Sequence, residues 1–167
     1  MEEINKFLNQ DKYISYNQYK QFCEKHNIEI NEKILNEKNN KFIEQKLIEH
    51  KEYFDHIFTD AGENINLDEE QRKIILTDDD YCLINAGAGS GKSTTMAAKV
   101  KYLVDKMNIK PEEIIMLTFT KKSSEDLDEK VNETLDLGVP VSTFHSLGMK
   151  FIKKFYPYPI QVVGEDE

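Results

Sequence analysis

The chain has 167 residues, enough for one ordinary domain or one and a half small ones, with 39% hydrophobic and 32% charged residues and a net charge of −9. No apolar run approaches membrane-spanning length, and the N-terminus Met1-Glu2-Glu3-Ile4-Asn5-Lys6 lacks the basic and apolar regions of a signal peptide. Cys23 and Cys82 stand far apart, which excludes a disulfide framework and points to reduced thiols in a cytoplasmic protein.

Residues 1–66 read as helical throughout and carry no recognisable chemistry. Ser15 is placed to cap a helix with Tyr19, Phe22 and Cys23 on one face. A longer helical pattern follows through Ile34, Leu35, Phe42, Ile43, Leu47 and Ile48, with Asn39-Asn40 as an expected break. Phe54, Ile57 and Phe58 continue it, and the polar stretch from Thr59 to Asn64, with Gly62, reads as a linker. The expected division is therefore a helical region at 1–66 and a second unit at 67–167.

From Leu67 the pattern alternates between helix and strand. A short helix over Asp68–Ile75 leads to an expected first strand, Tyr81-Cys82-Leu83-Ile84. Met96, Val100, Leu103, Val104 and Met107 then mark one helical face, and a second strand is expected at Ile114–Leu117. Leu127, Val131 and Leu135 predict another helix, ended by Gly138. A third strand at Val139–Ser142 precedes a helix carrying Leu147, Phe151 and Phe155. This order predicts an α/β fold with a parallel sheet, whose ligands sit at the carboxyl ends of its strands.

Between the first strand and the helix after it lies Asn85-Ala86-Gly87-Ala88-Gly89-Ser90-Gly91-Lys92-Ser93-Thr94, which has the form of a phosphate-binding loop. Small residues let successive N–H groups turn inward toward phosphate oxygens, and the next helix presents its positive end. Lys92 is the candidate for the β- and γ-phosphates, and Ser93 for Mg²⁺. A strict pattern asks for Gly at 86, where this chain has Ala. Upstream, the Gln71 amide is a candidate reader of an adenine edge, because it both donates and accepts. Two further segments follow the second and third strands: Thr118-Phe119-Thr120-Lys121-Lys122 and Ser142-Thr143-Phe144-His145-Ser146. Hydroxyls and lysines suit phosphate oxygens, while Phe and His stack on unpaired bases. An acidic total disfavours a nucleic-acid partner, yet residues 92–122 hold seven Lys against Asp105, Glu112 and Glu113, which predicts a basic surface beside the loop.

In order and spacing, Gln71, the loop at 86–93, Thr118–Lys122 and Thr143–His145 resemble the start of the UvrD/Rep-type superfamily 1 DNA helicases, most closely the helicase IV-like branch. The resemblance covers residues 67–152, and it accounts for Ala86, since that family's loop reads Ala-Gly-Ala-Gly-Ser-Gly-Lys. Tyr53-Phe54-Asp55 is similar to the helical lead-in of helicase IV-like proteins, whereas residues 1–50 resemble them only vaguely. What the resemblance implies is an incomplete RecA-like motor domain 1A, from an ATP-dependent motor stepping 3′ to 5′ along single-stranded DNA. In that picture Gln71 reads adenine. The loop residues Ala86, Gly87, Ala88, Gly89, Ser90, Gly91, Lys92, Ser93 and Thr94 hold ATP and Mg²⁺. Thr118, Phe119, Lys122, Thr143, Phe144 and His145 touch the DNA strand. Thr94 stands where many relatives place an arginine that packs on the adenine.

The same resemblance leads us to expect absences. The family's Asp-Glu motif, which completes the Mg²⁺ site, has no counterpart before Glu167, and no second motor domain supplies transition-state arginines. The tail Val162–Glu167 reads as the beginning of an insertion. The chain is thus expected to bind nucleotide weakly without turning it over, with the rest of a helicase as a possible separate partner. A stand-alone regulatory module that holds nucleotide or DNA is the alternative. A small phosphoryl-transfer kinase is disfavoured, because Arg72 is the only arginine available for a lid.

Overall fold

Side-chain caps from Ser15, Asn31, Asp68, Thr120 and Thr143 set several helix starts in this chain. The computed structural model describes residues 2–87 and 89–156. Helix α1 spans Glu2–Leu8 and α2 spans Tyr16–His26. The Ser15 hydroxyl accepts from the Gln18 N–H while the Gln18 side chain returns to the Ser15 N–H, a reciprocal cap. Asn27, with φ of 52°, then ends α2 in the left-handed conformation that Asn tolerates. Tyr19 and Cys23 of α2 pack with Ile14 and Leu35 into a small apolar cluster.

Helix α3 runs without interruption over Glu32–Glu49, so the break expected at Asn39-Asn40 does not occur. The reason is a clamp. Buried Asn39 accepts from the Ile14 N–H at 3.1 Å and donates to the Ile14 carbonyl at 2.8 Å. Its amide is spent on a distant backbone instead of competing with the helix. Asn39→Ala leaves two buried backbone groups unpaired. At roughly 1–3 kcal/mol for each orphaned group, a stability loss of about 2–6 kcal/mol is expected in urea unfolding. A loss within about 0.5 kcal/mol would show that water replaces the amide at no cost.

Helix α4, Lys51–His56, follows α3 almost directly. Its Phe54, with Ile57 and Phe58 just beyond, enters the main core beside Leu67, Ile75, Ala97, Ala98, Val100, Val131 and Val139. Ile43 and Leu47 of α3 pack against the same cluster. Residues on both sides of position 66 therefore share one core, and the turns at 57–62 connect them closely.

Helix α5 spans Glu69–Leu76, capped by Asp68, and packs beside α6, Lys92–Asp105. Strand β1 is Met116–Thr118 and strand β2 is Val141–Thr143. They pair in parallel, with Met116 opposite Val141, Leu117 opposite Ser142 and Thr118 opposite Thr143. Between them lie α7, Lys121–Asp128, and a π-helical extension, Glu129–Thr134, that seats Val131 in the core. Gly138, at φ of 66°, turns the chain back toward β2. Helix α8 spans Phe144–Phe155.

The parallel pairing agrees with the alternating sequence, but the sheet has two strands among the described residues. The expected first strand, Tyr81–Ile84, is not one: it pairs with no neighbour, and Tyr81 and Leu83 are 90% and 95% exposed. A strand exists only where another accepts its ladder, and this segment joins no ladder, although Cys82 and Ile84 line one apolar pocket with Met116 and Leu117 of β1. The tail Val162–Glu167 falls outside the described residues. Among those that are described, no helix is long and apolar enough to cross a membrane.

Candidate nucleotide and nucleic-acid site

The phosphate-type loop is closed by its own short-range bonds. The Ser90 hydroxyl donates to the Gly87 carbonyl at 2.8 Å, and the Ser90 N–H reaches the same oxygen at 3.4 Å. Gly89 and Gly91 sit at φ of 75° and 77°, where a side chain would be strained. A Cβ on Gly91 would also stand 2.8 Å from Gln71 Nε2. The left-handed backbone is what requires glycine at 91; a side chain there would also push the Gln71 amide off the loop.

Gly91 caps α6, which starts at Lys92, so the first turn of the helix opens directly onto the loop. The Thr95 hydroxyl and N–H both return to the Gly91 carbonyl, at 3.0 and 2.8 Å, and tie that turn down. The sequence reading missed Thr95. Its signal is a hydroxyl on the buried face of the helix, one turn after the capping glycine. Lys92 Nζ bends back to donate to the carbonyls of Ala86, at 3.0 Å, and Gly87. Ser93 is exposed and Thr94 half-buried. Ala88 lies outside the described residues.

Gln71 does two things at once. Its Oε1 accepts from the Asp68 N–H at 2.9 Å, completing the cap of α5, and its Nε2 donates to the Ser90 carbonyl at 3.3 Å. The amide is thus fixed against the loop from outside. Beside it, Arg72 pairs with Asp55 at 2.7 Å, donates to the Leu67 carbonyl and lies 5.8 Å from the Phe54 ring. Tyr53 donates to Asp105 on α6 at 3.1 Å, and burial, with the Asp105 charge behind it, pushes its phenol far above the usual range. The Tyr53-Phe54-Asp55 lead-in is therefore bonded to both α5 and α6.

The donor set fits a phosphate chain carrying its own cation. An exposed ammonium, an exposed hydroxyl and the free N–H groups of a helix start converge on one loop. Among the described residues no group of three His, Cys, Asp or Glu could hold a metal alone. A Mg²⁺ here would be held by Ser93 together with the phosphates.

The second cluster is set by register. Because Thr118 pairs with Thr143, the residues that follow them emerge together at the carboxyl edge of the sheet. Phe119 and Phe144 are 84% and 61% exposed there. The Thr118 hydroxyl donates to the Thr120 carbonyl, and Thr143 caps α8 through the Ser146 N–H. His145 and Lys122 are exposed at the starts of α8 and α7.

The basic surface expected over 92–122 is smaller than its lysine count. Lys99 turns inward to the carbonyls of Ile75 and Thr77, where burial lowers its pKa despite Asp78 nearby. Lys101 pairs with Asp105, Lys106 lies 4.6 Å from the Tyr53 ring, and Lys121 pairs with Glu125.

A glycine-rich turn opening a helix, a glutamine docked on it and two register-matched strand ends define a mixed helical protein with a small parallel sheet. Residues 67–159, more than half of the chain, match the model of the UvrD/REP helicase N-terminal domain, and the chain belongs to that family. It is 43% identical over 77 residues to the ATP-dependent DNA helicase Rep of Buchnera aphidicola subsp. Schizaphis graminum, covering 44% of this chain and 12% of that protein. Against Escherichia coli K12 Rep the identity is 38% over 79 residues, 45% of this chain and 12% of Rep. Against E. coli K12 DNA helicase IV it is 29% over 117 residues, 70% of this chain and 16% of the relative. A match of that length necessarily takes in Tyr53-Phe54-Asp55. The chain spans 12 to 16% of the length of these three relatives.

Proposed function

We propose that this chain is the N-terminal, ATP- and single-stranded-DNA-binding part of a cytoplasmic, ATP-dependent 3′–5′ DNA helicase, with residues 67–167 forming part of a RecA-like motor domain behind a helical region at 1–66. The observation that carries this is the convergence of Lys92 and Gln71 on one loop from inside and outside. Lys92 leaves the loop carbonyls for the β- and γ-phosphates, the helix start and loop amides take the remaining oxygens, and Ser93 joins Mg²⁺. Gln71 already stands at the rim, where an adenine edge would meet it. When bound, Mg²⁺ neutralises charge on the phosphates; the chain's own groups bind and orient them. The part described here acts as a binding unit, with turnover requiring the acid and arginines of a fuller motor.

DNA binding is assigned to Phe119 and Phe144 as stacking platforms, with Thr118, Lys122, Thr143 and His145 around them. Base–aromatic stacking contributes roughly 1–3 kcal/mol per base, so Phe119→Ala and Phe144→Ala should each weaken binding of a fluorescent oligothymidylate about 5- to 100-fold. Circular dichroism should stay unchanged, because both rings are exposed. Variants that bind the oligonucleotide like the parent would remove this assignment.

A further inference from the structure

The connection from α5 to the loop carries Asp78, Asp79 and Asp80, and two of these carboxylates meet a distant helix. The Tyr16 N–H donates to Asp79 Oδ1 at 3.2 Å, and the Asn17 N–H donates to Asp80 Oδ2 at 3.3 Å, each across 63 residues. Asp79 also accepts from the Asp80 N–H at 2.9 Å, which holds the two carboxylates side by side. Helix α2 leaves those donors free for this purpose: its own cap, Ser15, satisfies Gln18, and its first turn has no acidic residue. Two carboxylates at the positive end of a helix supply both the missing acceptors and the missing charge.

The position of this contact gives it consequence. Upstream, Lys99 fixes the end of α5 through the Ile75 and Thr77 carbonyls. Downstream, Tyr81–Asn85 make no hydrogen bond among the described residues, and the next tether is Lys92 on Ala86 and Gly87. The segment feeding the loop therefore hangs between Asp79–Asp80 and the loop itself. Because α2 lies outside residues 67–159, which match the helicase domain model, the contact joins a region beyond that match to the loop within it.

We infer that Asp79 and Asp80 are positioning residues: by gripping the start of α2 they hold Tyr81–Gly87 in place, so that the helical region tunes the affinity of the phosphate loop. The affinity half of this statement rests on the nucleotide-binding reading above; the positional half does not.

Tyr16→Pro tests it cleanly. Position 16 is the first residue of α2, where proline's fixed φ suits a helix and only the N–H is lost. Tyr16→Ala keeps the N–H and controls for the ring. Two readouts are taken on the full chain, ¹⁵N backbone order parameters of Tyr81–Gly87 and the Kd for a fluorescent ATP analogue. Tyr16→Pro and the Asp79→Ala/Asp80→Ala pair should each lower the order parameters toward the flexible range, below about 0.6. Each should also raise Kd about 3- to 10-fold, the size of a contact worth roughly 1 kcal/mol. Combining them should add little further, as expected for partners in one contact. Tyr16→Ala, and Asp79→Asn/Asp80→Asn, which keeps acceptor oxygens, should stay near the parent. Order parameters unchanged in both disruptive variants overturn the inference, as does an unchanged Kd in a parent that binds. A parent that binds no nucleotide overturns the nucleotide reading and the affinity half; its order parameters still decide the positional half.

Discussion

Lys92→Ala is expected to weaken binding of an ATP analogue in Mg²⁺ about 10- to 100-fold while leaving unfolding free energy within about 0.5 kcal/mol. The ammonium now donates to two carbonyls of an exposed loop, at Ala86 and Gly87. Water can take over those carbonyls, so the folded chain loses little. A phosphate chain has no such substitute. Charge-assisted hydrogen bonds of this kind contribute roughly 1.5–3 kcal/mol, which sets the fold-change. Lys92→Arg should recover only part of the affinity, since a planar fork does not fit where a compact point charge reaches between loop carbonyls. The measurement is a fluorescence titration beside denaturant unfolding of the same variants. Equal affinities for parent and Lys92→Ala would sink the phosphate-loop assignment. Steady-state hydrolysis checks the companion expectation. Strong DNA-stimulated turnover that depends on Lys92 would show that this chain, alone or self-associated, supplies the acid and arginine roles assigned to a fuller motor.

A large stability effect is expected at Phe54. Its ring is fully buried, stacks on Tyr102 of α6 at 5.9 Å, touches Tyr53 edge-on and receives the Arg72 guanidinium 5.8 Å away. Phe54→Ala removes this hub and leaves a cavity between α4 and α6. A loss of about 3–5 kcal/mol is expected, against less than about 1.5 kcal/mol for Phe54→Leu if the site can repack. That loss is a large share of the stability of a chain this size. Urea unfolding followed by far-ultraviolet circular dichroism gives the numbers. If Phe54→Ala costs less than about 1 kcal/mol, then the helical region and the family domain do not share a working core. Asp55→Asn should cost less than the ring does, because Arg72 keeps the Leu67 carbonyl and the Phe54 face.

Much of this molecule is legible along the chain because it is local. Ser15 and Asp68 start helices through bonds spanning three residues. Gly91 and Gly138 mark left-handed turns, and the alternating pattern foretells a parallel pairing whose strands lie within one or two residues of the expected positions. The loop, too, is a contiguous string whose closing bonds from Ser90 and Lys92 reach no further than six residues.

Other features depended on partners far away in sequence. Asn39 reads as a helix breaker until Ile14, 25 residues distant, takes both ends of its amide. Lys99 counts as surface charge until the end of α5 offers it two carbonyls. Arg72 gains a structural role only when α4 brings Asp55 to it. Tyr81–Ile84 has the composition of a strand, yet it joins no ladder. By itself the sequence determined where the capped helices begin, where the glycine turns fall and which family the chain joins, because caps, turns and loop chemistry act within a few bonds. The tertiary structure alone decided which polar groups are buried, which lysines remain free and which apolar runs become strands. Those outcomes turn on whether a second surface is present to accept a hydrogen bond.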